Sequence, residues 1–490
     1  MFKRLAAIIL SLALLVSVAS ASANVIDPSL VPEKTGEITI FLYGDKTPRM
    51  EELLKNEFAE VFLKEINCVV NVEYIPWSEY GAGNMTDRMI LAGGAEDFDS
   101  TLTDANWTSQ SYTKGYVMDV SGLIEQYMPH YRAVTNPDAL LGFTFPDGGV
   151  YAIPFGNKPT ADTFRSICVR QDLMDEVGMT SMESLEDLKT FVEKVHAVHP
   201  EMYATMDYIL PAFILRGIGE RNLTDLTTGL WIDEDSGEVV SIFDSEEFKE
   251  LCNLYHEWYE AGLISKDILT STTSNNVLFE SGNYMFWRGT YGTTVYENLP
   301  NLRKVVPEAN TAEYFLKPEK NKYKASYENT AFQIPVTSEN AQYVALFIDL
   351  LCTKEYVNLF TYGVENVDYT VNNGKVHRLV NDELFYDWMM FNSNISLFSE
   401  NMPDEFIPVY QAWDDGALPS KKLSVTLDYS DIKTEYAQVS AVWDEYAKAM
   451  MAGVLSYDET IETLRSEMAK AGWDRYMSAI SEQVAAQLAE

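Results

Sequence analysis

The residues from which this chain could assemble a reaction centre are five histidines, four cysteines and 74 carboxylates among 490 residues. Neither His130, His196, His199, His256 nor His377 accompanies a G-x-S-x-G elbow, a motif the chain lacks, so no nucleophile with an activating histidine can be drawn. His256-Glu257-Trp258-Tyr259-Glu260 opens like a zinc-protease helix, but glutamate stands where the second histidine should be, leaving a metal short of a ligand. Asp233 to Glu238 is similar to a calcium loop, yet its glycine is fifth rather than sixth, and a hairpin turn is the simpler expectation. A phosphate-cradling G-x-x-x-x-G-K-[ST] loop is absent, which excludes that route to nucleotide hydrolysis. Cys68, Cys168, Cys252 and Cys352 are far apart and form no C-x-x-C pair. They are expected to be small buried hydrophobes, with a single bridge as the alternative. A glycosidase acid-base pair stays open, because its defining separation exists only in three dimensions. The expectation is therefore a protein that is not an enzyme and takes no metal and no cofactor.

A second set of residues suits binding rather than reaction. Trp77 and Tyr80 follow one strand-like run, and Trp107 and Tyr112 follow another at 99–103. Phe155 and Asn157 follow Tyr151-Ala152-Ile153-Pro154, and Trp287, Arg288 and Tyr291 follow Tyr284-Met285-Phe286. These rings are expected in glycine-rich and polar loops, where a core would not need them. Sugars present apolar C–H faces ringed by hydroxyls, so flat aromatic platforms with Asp, Asn and Arg around them suit a carbohydrate. Loops at the carboxyl ends of strands are where open α/β sheets bind ligands.

The elements that would position those loops follow from periodicity. Residues 38–42 read as a buried strand, Leu54, Phe58, Val61 and Phe62 recur at helical spacing, and 69–75 alternates as a second strand. That β-α-β unit favours a parallel sheet. Helices are expected over 173–177, 184–198, 338–362, 433–452 and 457–488, and a hairpin over 229–243 turning at Asp235-Ser236-Gly237. Met1-Phe2-Lys3-Arg4, the apolar run 5–18 and the small residues 19–23 read as a secretory signal peptide cut after Ala23. The apolar run is shorter than the roughly 20 residues of a bilayer span, and the first cysteine, Cys68, is too distant to carry a lipid. Residues 24–490 exceed the size at which one core stops growing, so two lobes are expected. The formal charge of −38 is spread without a basic cluster, which argues against nucleic acid and anionic membrane as partners.

Several segments, in order, resemble the extracellular sugar-binding proteins of bacterial ABC importers, which share the fold of maltose-binding protein. The stretch Met89 to Asp99 resembles their "lmLAsGeefDl", Lys114-Gly115-Tyr116 before Asp119 and Leu123 their "kGaflpLddLl", and Gly149 to Pro154 their "vYaiP". Tyr362-Gly363-Val364-Glu365-Asn366-Val367-Asp368-Tyr369 resembles the "yGiEGvhY" of a subgroup whose C-terminal domain has no assigned activity. Asp431 to Ala437 and Met468 to Asp474 resemble that subgroup's "pvktEiAaV" and "lkaAGlDk". Asn366 and Asp368 depart from the subgroup's glycine and histidine, and the lipid-bearing cysteine of many members is missing.

The resemblance implies an α/β, two-lobed periplasmic-binding-protein fold of type II, with interleaved lobes, a hinge and a C-terminal helical region. The expected division is 24–157 with 320–364 as lobe 1, and 158–319 with 365–490 as lobe 2. Crossings are expected near 155–160, 310–326 and 362–368. The implied function is capture of an oligosaccharide between the lobes by a secreted, extracellular or periplasmic monomer, for delivery to membrane permease subunits. A secreted carbohydrate-active enzyme and a peptide-binding protein are the alternatives. The implied ligand contacts are Asp45, Trp107 and Asn329 from lobe 1, Trp287 and Arg288 from lobe 2, and Phe155 at the crossing.

Overall fold

Alternation along residues 36–43 turns one face of an extended chain apolar, and in the computed structural model Ile38, Ile40 and Leu42 are buried while Glu37 is exposed. The structure describes residues 24–44, 46–76, 85–91, 98–156, 159–162, 165–290, 296–324, 330–380 and 391–489. Strand β1 (Gly36–Tyr43) runs parallel to β2 (Cys68–Ile75), in register from Gly36 against Cys68 to Tyr43 against Ile75. The expected connecting helix is two helices, Pro48–Lys55 and Glu57–Ile66. Thr47 caps the first by accepting from the Met50 N–H, with Pro48 at its first position, and Asn56 breaks the run with φ −115° and ψ −95°.

Strands β3 (Ser100–Thr103) and β4 (Ile153–Pro154) extend this sheet, and the later strand β12 (Ala331–Gln333) lies between them in the order β2-β1-β3-β12-β4. Since β12 is antiparallel to both β3 and β4, strands β1 to β4 all point the same way. Their carboxyl ends, Tyr43, Ile75, Thr103 and Pro154, therefore share one edge with the start of β12. The core under this sheet joins residues 26–155 to 331–360, with the Phe62 and Phe360 rings stacked 5.3 Å apart.

The second core gathers residues 167–316 and 427–484. Its sheet comprises β5 (Ser166–Arg170), β9 (Phe286–Arg288) and β10 (Thr311–Phe315), antiparallel in the order β10-β5-β9. The expected hairpin is present as β7 (Leu230–Asp233) and β8 (Val239–Ser241), joined on its other side by β6 (Leu223–Thr227). The calcium-like loop is its turn: Asp233 Oδ1 accepts from the Asp235 and Ser236 N–H groups, and Gly237 supplies φ +81°. Among the described residues no group of three ligating side chains could hold a metal ion, and no helix is long and apolar enough to cross a membrane.

Between the two cores runs a narrow ribbon. Ala161 bridges to Lys324, the Asp162 N–H donates to the Tyr323 carbonyl at 2.9 Å, and β11 (Tyr323–Lys324) pairs on its other side with β15 (Leu418–Pro419). Residues 362–380 instead lie against the first core. There Arg49 grips Asp368 with two hydrogen bonds of 2.8 Å, and the hairpin β13 (Tyr369–Asn372) with β14 (Lys375–Arg378) follows.

Three long helices expected from periodicity are broken. The 338–362 helix starts at Ala341 and divides into Ala341–Leu351 and Val357–Tyr362, and the Ser338 hydroxyl before it bonds the Asp99 carboxylate at 2.7 Å. The 433–452 helix widens into a π-helical turn at Trp443–Ala447. The 457–488 helix splits into Tyr457–Lys470 and Trp473–Leu488 at Gly472, whose φ of +89° no other residue adopts cheaply.

All four cysteines are free and buried. Burial pushes the Cys68 thiol up to about 12 and raises the Cys168 thiol well above its ordinary value. A thiol reagent is therefore expected to label none of them in the native protein and all four after denaturation. Native labelling at two sites would overturn this packing.

Candidate ligand cleft

The shared carboxyl edge of the first sheet holds Trp107, but on a helix rather than in the expected loop. Asp104 accepts from the Trp107 N–H at 2.8 Å and caps the helix Ala105–Thr113, which places the indole in its first turn. The half-buried ring lies against Tyr43, at the end of β1, with centroids 5.7 Å apart and planes tilted by 42°. Later residues of the same helix reach the other core: Ser109 Oγ donates to the Leu427 carbonyl at 2.5 Å. Thr426 Oγ1 likewise donates to the Thr144 carbonyl at 3.3 Å. The helix that carries Trp107 thus lies where the two halves approach.

Phe155 follows β4 on the same edge, yet it is only 2% exposed and packs edge-on against Phe332 at 5.8 Å. Its backbone N–H donates to the Thr330 carbonyl at 3.0 Å. Asp45 and Asn329 lie outside the described residues, as do Trp77, Tyr80, Asn157 and Tyr291.

On the second sheet Trp287 and Arg288 lie within β9 itself rather than after it. Both converge on a carboxylate that sequence reasoning missed. Asp207 is fully buried, and its Oδ2 accepts from Trp287 Nε1 at 3.1 Å and faces Arg288 Nε at 3.2 Å. Its Oδ1 accepts from the Ile209 and Leu210 N–H groups at 2.9 and 3.2 Å, at the start of the helix Leu210–Ile218. One buried charge therefore neutralises Arg288, orients the indole and caps a helix. Trp287 is 6% exposed and backed by Phe279 and Met206, whereas the Arg288 side chain is 22% exposed. No local pattern marks Asp207, which lies 80 residues before its partner indole.

Four of the five histidines engage groups other than a hydroxyl or thiol nucleophile. His130 pairs with Asp349 at 2.8 Å, His199 with Glu176 at 2.8 Å, and His377 with Glu400. His256 donates from Nδ1 to the Gly453 carbonyl at 2.8 Å, which ties its helix to the C-terminal helices.

Comparison with known proteins gives this geometry a family. The model of a bacterial extracellular solute-binding protein matches residues 57–363, and a domain of unknown function matches 423–489. The chain is 23% identical over 448 residues, 89% of its own length and 87% of the relative's, to a carbohydrate ABC transporter substrate-binding protein of Streptococcus pneumoniae. It is 22% identical over 335 residues, 64% of each chain, to the polygalacturonan/rhamnogalacturonan-binding protein YtcQ of Bacillus subtilis. Among solved structures, the N-glycan transport solute-binding protein NgtS of Streptococcus pneumoniae in complex with Man5GlcNAc superimposes with a TM-score of 0.73. That match has 20% identity and covers 92% of this chain and 98% of NgtS. The likeness establishes the two-lobed α/β binding-protein fold expected from the sequence. With the family model spanning more than half of its length, the chain belongs to the bacterial extracellular solute-binding proteins.

Proposed function

We propose that this protein is the exported capture subunit of a bacterial ABC importer and that its solute is an oligosaccharide held between the two lobes. The observation that carries the reading is the placement of Trp107. It stands at the carboxyl edge of the first sheet, half-buried against Tyr43, on the helix whose Ser109 already touches the second half. Membership of the solute-binding family and relatives named for carbohydrates support it. In this reading Trp107 and Arg288 touch the sugar, and Trp287 and Phe155 shape the wall from behind. Asp45 and Asn329 are the remaining polar contacts that the sequence suggests.

The protein performs no chemistry on its ligand; binding closes the lobes because a solute touching both stabilises the closed state alone. The hinge is the ribbon of 160–162, 323–324 and 418–420, with Asp368 held on lobe 1 by Arg49. Residues 1–23 direct export and are removed after Ala23.

Calorimetric titration of residues 24–490 tests this assignment. The Trp107→Ala variant is expected to lose about 2 kcal/mol of glycan affinity, roughly thirtyfold, with its fold intact. The Trp287→Ala variant is expected to lose affinity and stability together, because its indole is buried. Unchanged glycan affinity in both variants would remove these residues from the site.

A further inference from the structure

We propose that a pocket beside the hinge ribbon is a subsite for a sugar carrying a carboxylate, a hexuronate unit of an acidic oligosaccharide; the inference rests on the carbohydrate reading above. The pocket encloses about 520 Å³, within the range of small-molecule sites. Arg165, Phe315, Lys320 and Lys322 line it from the second core and the ribbon, and Val409 and Trp413 from the segment before β15. Three of its lining side chains are cationic and none is a carboxylate, in a protein whose formal charge is −38.

The charges are held in place but not all are neutralised. Arg165 is ion-paired with Asp162 at 2.9 Å and lies over the Phe315 ring, 5.2 Å from its centroid. Lys320 donates to the Gly219 and Arg221 carbonyls at 3.0 and 2.6 Å, and Lys322 donates to the Trp413 carbonyl. Neither lysine has an ion-pair partner among the described residues. Asp414, the nearest carboxylate in sequence to Trp413, is turned away, accepting from the Thr160 and Ala161 N–H groups at 3.0 and 2.9 Å. Burial and the neighbouring Arg165 and Lys317 depress the Lys320 ammonium, so an arriving anion relieves a repulsion already built into the site.

The rings supply the other half of the recognition. Phe315 and Trp413 stand 5.4 Å apart with planes tilted by 39°, and both are half-buried. A pyranose ring can set its C–H face on them and aim a C6 carboxylate at Lys322 and Lys320, which a neutral hexose cannot exploit. A concavity lined by one sign of charge favours the acidic sugar.

The test titrates residues 24–490 calorimetrically with di- to tetragalacturonate and with neutral oligosaccharides of equal length, at low and high salt. Galacturonate binding is expected, weakening as salt is raised and falling by about tenfold or more in Lys322→Gln and in Trp413→Ala. Lys322→Arg and Trp413→Phe keep the charge and the ring, and are expected to retain most of the affinity, which separates lost recognition from lost folding. Equal galacturonate affinity in wild type and Lys322→Gln would overturn the subsite, as would full displacement by acetate at the same concentration. Binding of neutral glycans alone would overturn it while leaving the proposed function standing; binding of no glycan of either kind would end both.

Discussion

Replacing Asp207 by alanine is expected to destabilise the protein by about 3 kcal/mol and to abolish solute binding, read by urea denaturation and by calorimetry. The carboxylate is fully buried and serves four donors: Trp287 Nε1, Arg288 Nε and the Ile209 and Leu210 N–H groups. Removing it strands two backbone donors and an indole N–H, and takes a buried carboxylate away from the Arg288 guanidinium. Asp207→Asn retains an acceptor for the helix start and loses the charge, so its stability loss is expected to be smaller, about 1–2 kcal/mol. A stable Asp207→Ala protein with normal binding would show that Arg288 and Trp287 are positioned by other contacts.

The second large effect is expected at Arg49, where substitution by methionine should cost about 3 kcal/mol. Arg49 holds Asp368 through two bonds of 2.8 Å, and the Asp368 side chain is only 1% exposed. Asp368 Oδ2 also accepts from the Val364 N–H at 2.8 Å, which fixes the turn after Gly363, itself at φ +89°. Breaking the pair from the arginine side leaves a buried carboxylate with one neutral donor. Adding Asp368→Asn to Arg49→Met should restore about half of the loss, because the stranded charge is the main penalty. A double-mutant cycle with no coupling would show that the pair contributes nothing. Asp368 stands where the resembling subgroup carries histidine; here its carboxylate meets an arginine 319 residues away.

What could be read from the chain was local. The β1 and β2 pattern, the hairpin turning at Gly237 and the helix Leu185–Val198 capped by Ser184 all announce themselves within about fifteen residues. The helix under Trp107 escaped notice because Ala105-Asn106-Trp107-Thr108-Ser109-Gln110 has no apolar period, and only Asp104 marks its start. Gly472 was overridden by the apolar spacing on either side of it, since one glycine costs a helix only about 1 kcal/mol. Trp287, Arg288 and Trp107 were visible as residue types, whereas their supports were not. Asp207, the Arg49–Asp368 pair and the ribbon of 161, 323 and 418 join distant positions, and no periodicity records them. Phe155 illustrates the converse: an aromatic beside a glycine after a strand reads as a binding loop, yet its ring is packed on Phe332.

The central claim, that an oligosaccharide is held intact between the lobes, is tested most directly by thermal denaturation of residues 24–490 against oligosaccharides, monosaccharides and short peptides. A solute that binds only the native protein at a hundredfold excess over its dissociation constant stabilises it by about 2.7 kcal/mol. A raised melting temperature is expected with at least one oligosaccharide, which is recovered uncleaved. A shift with peptides alone, or recovery of a cleaved glycan, would contradict it.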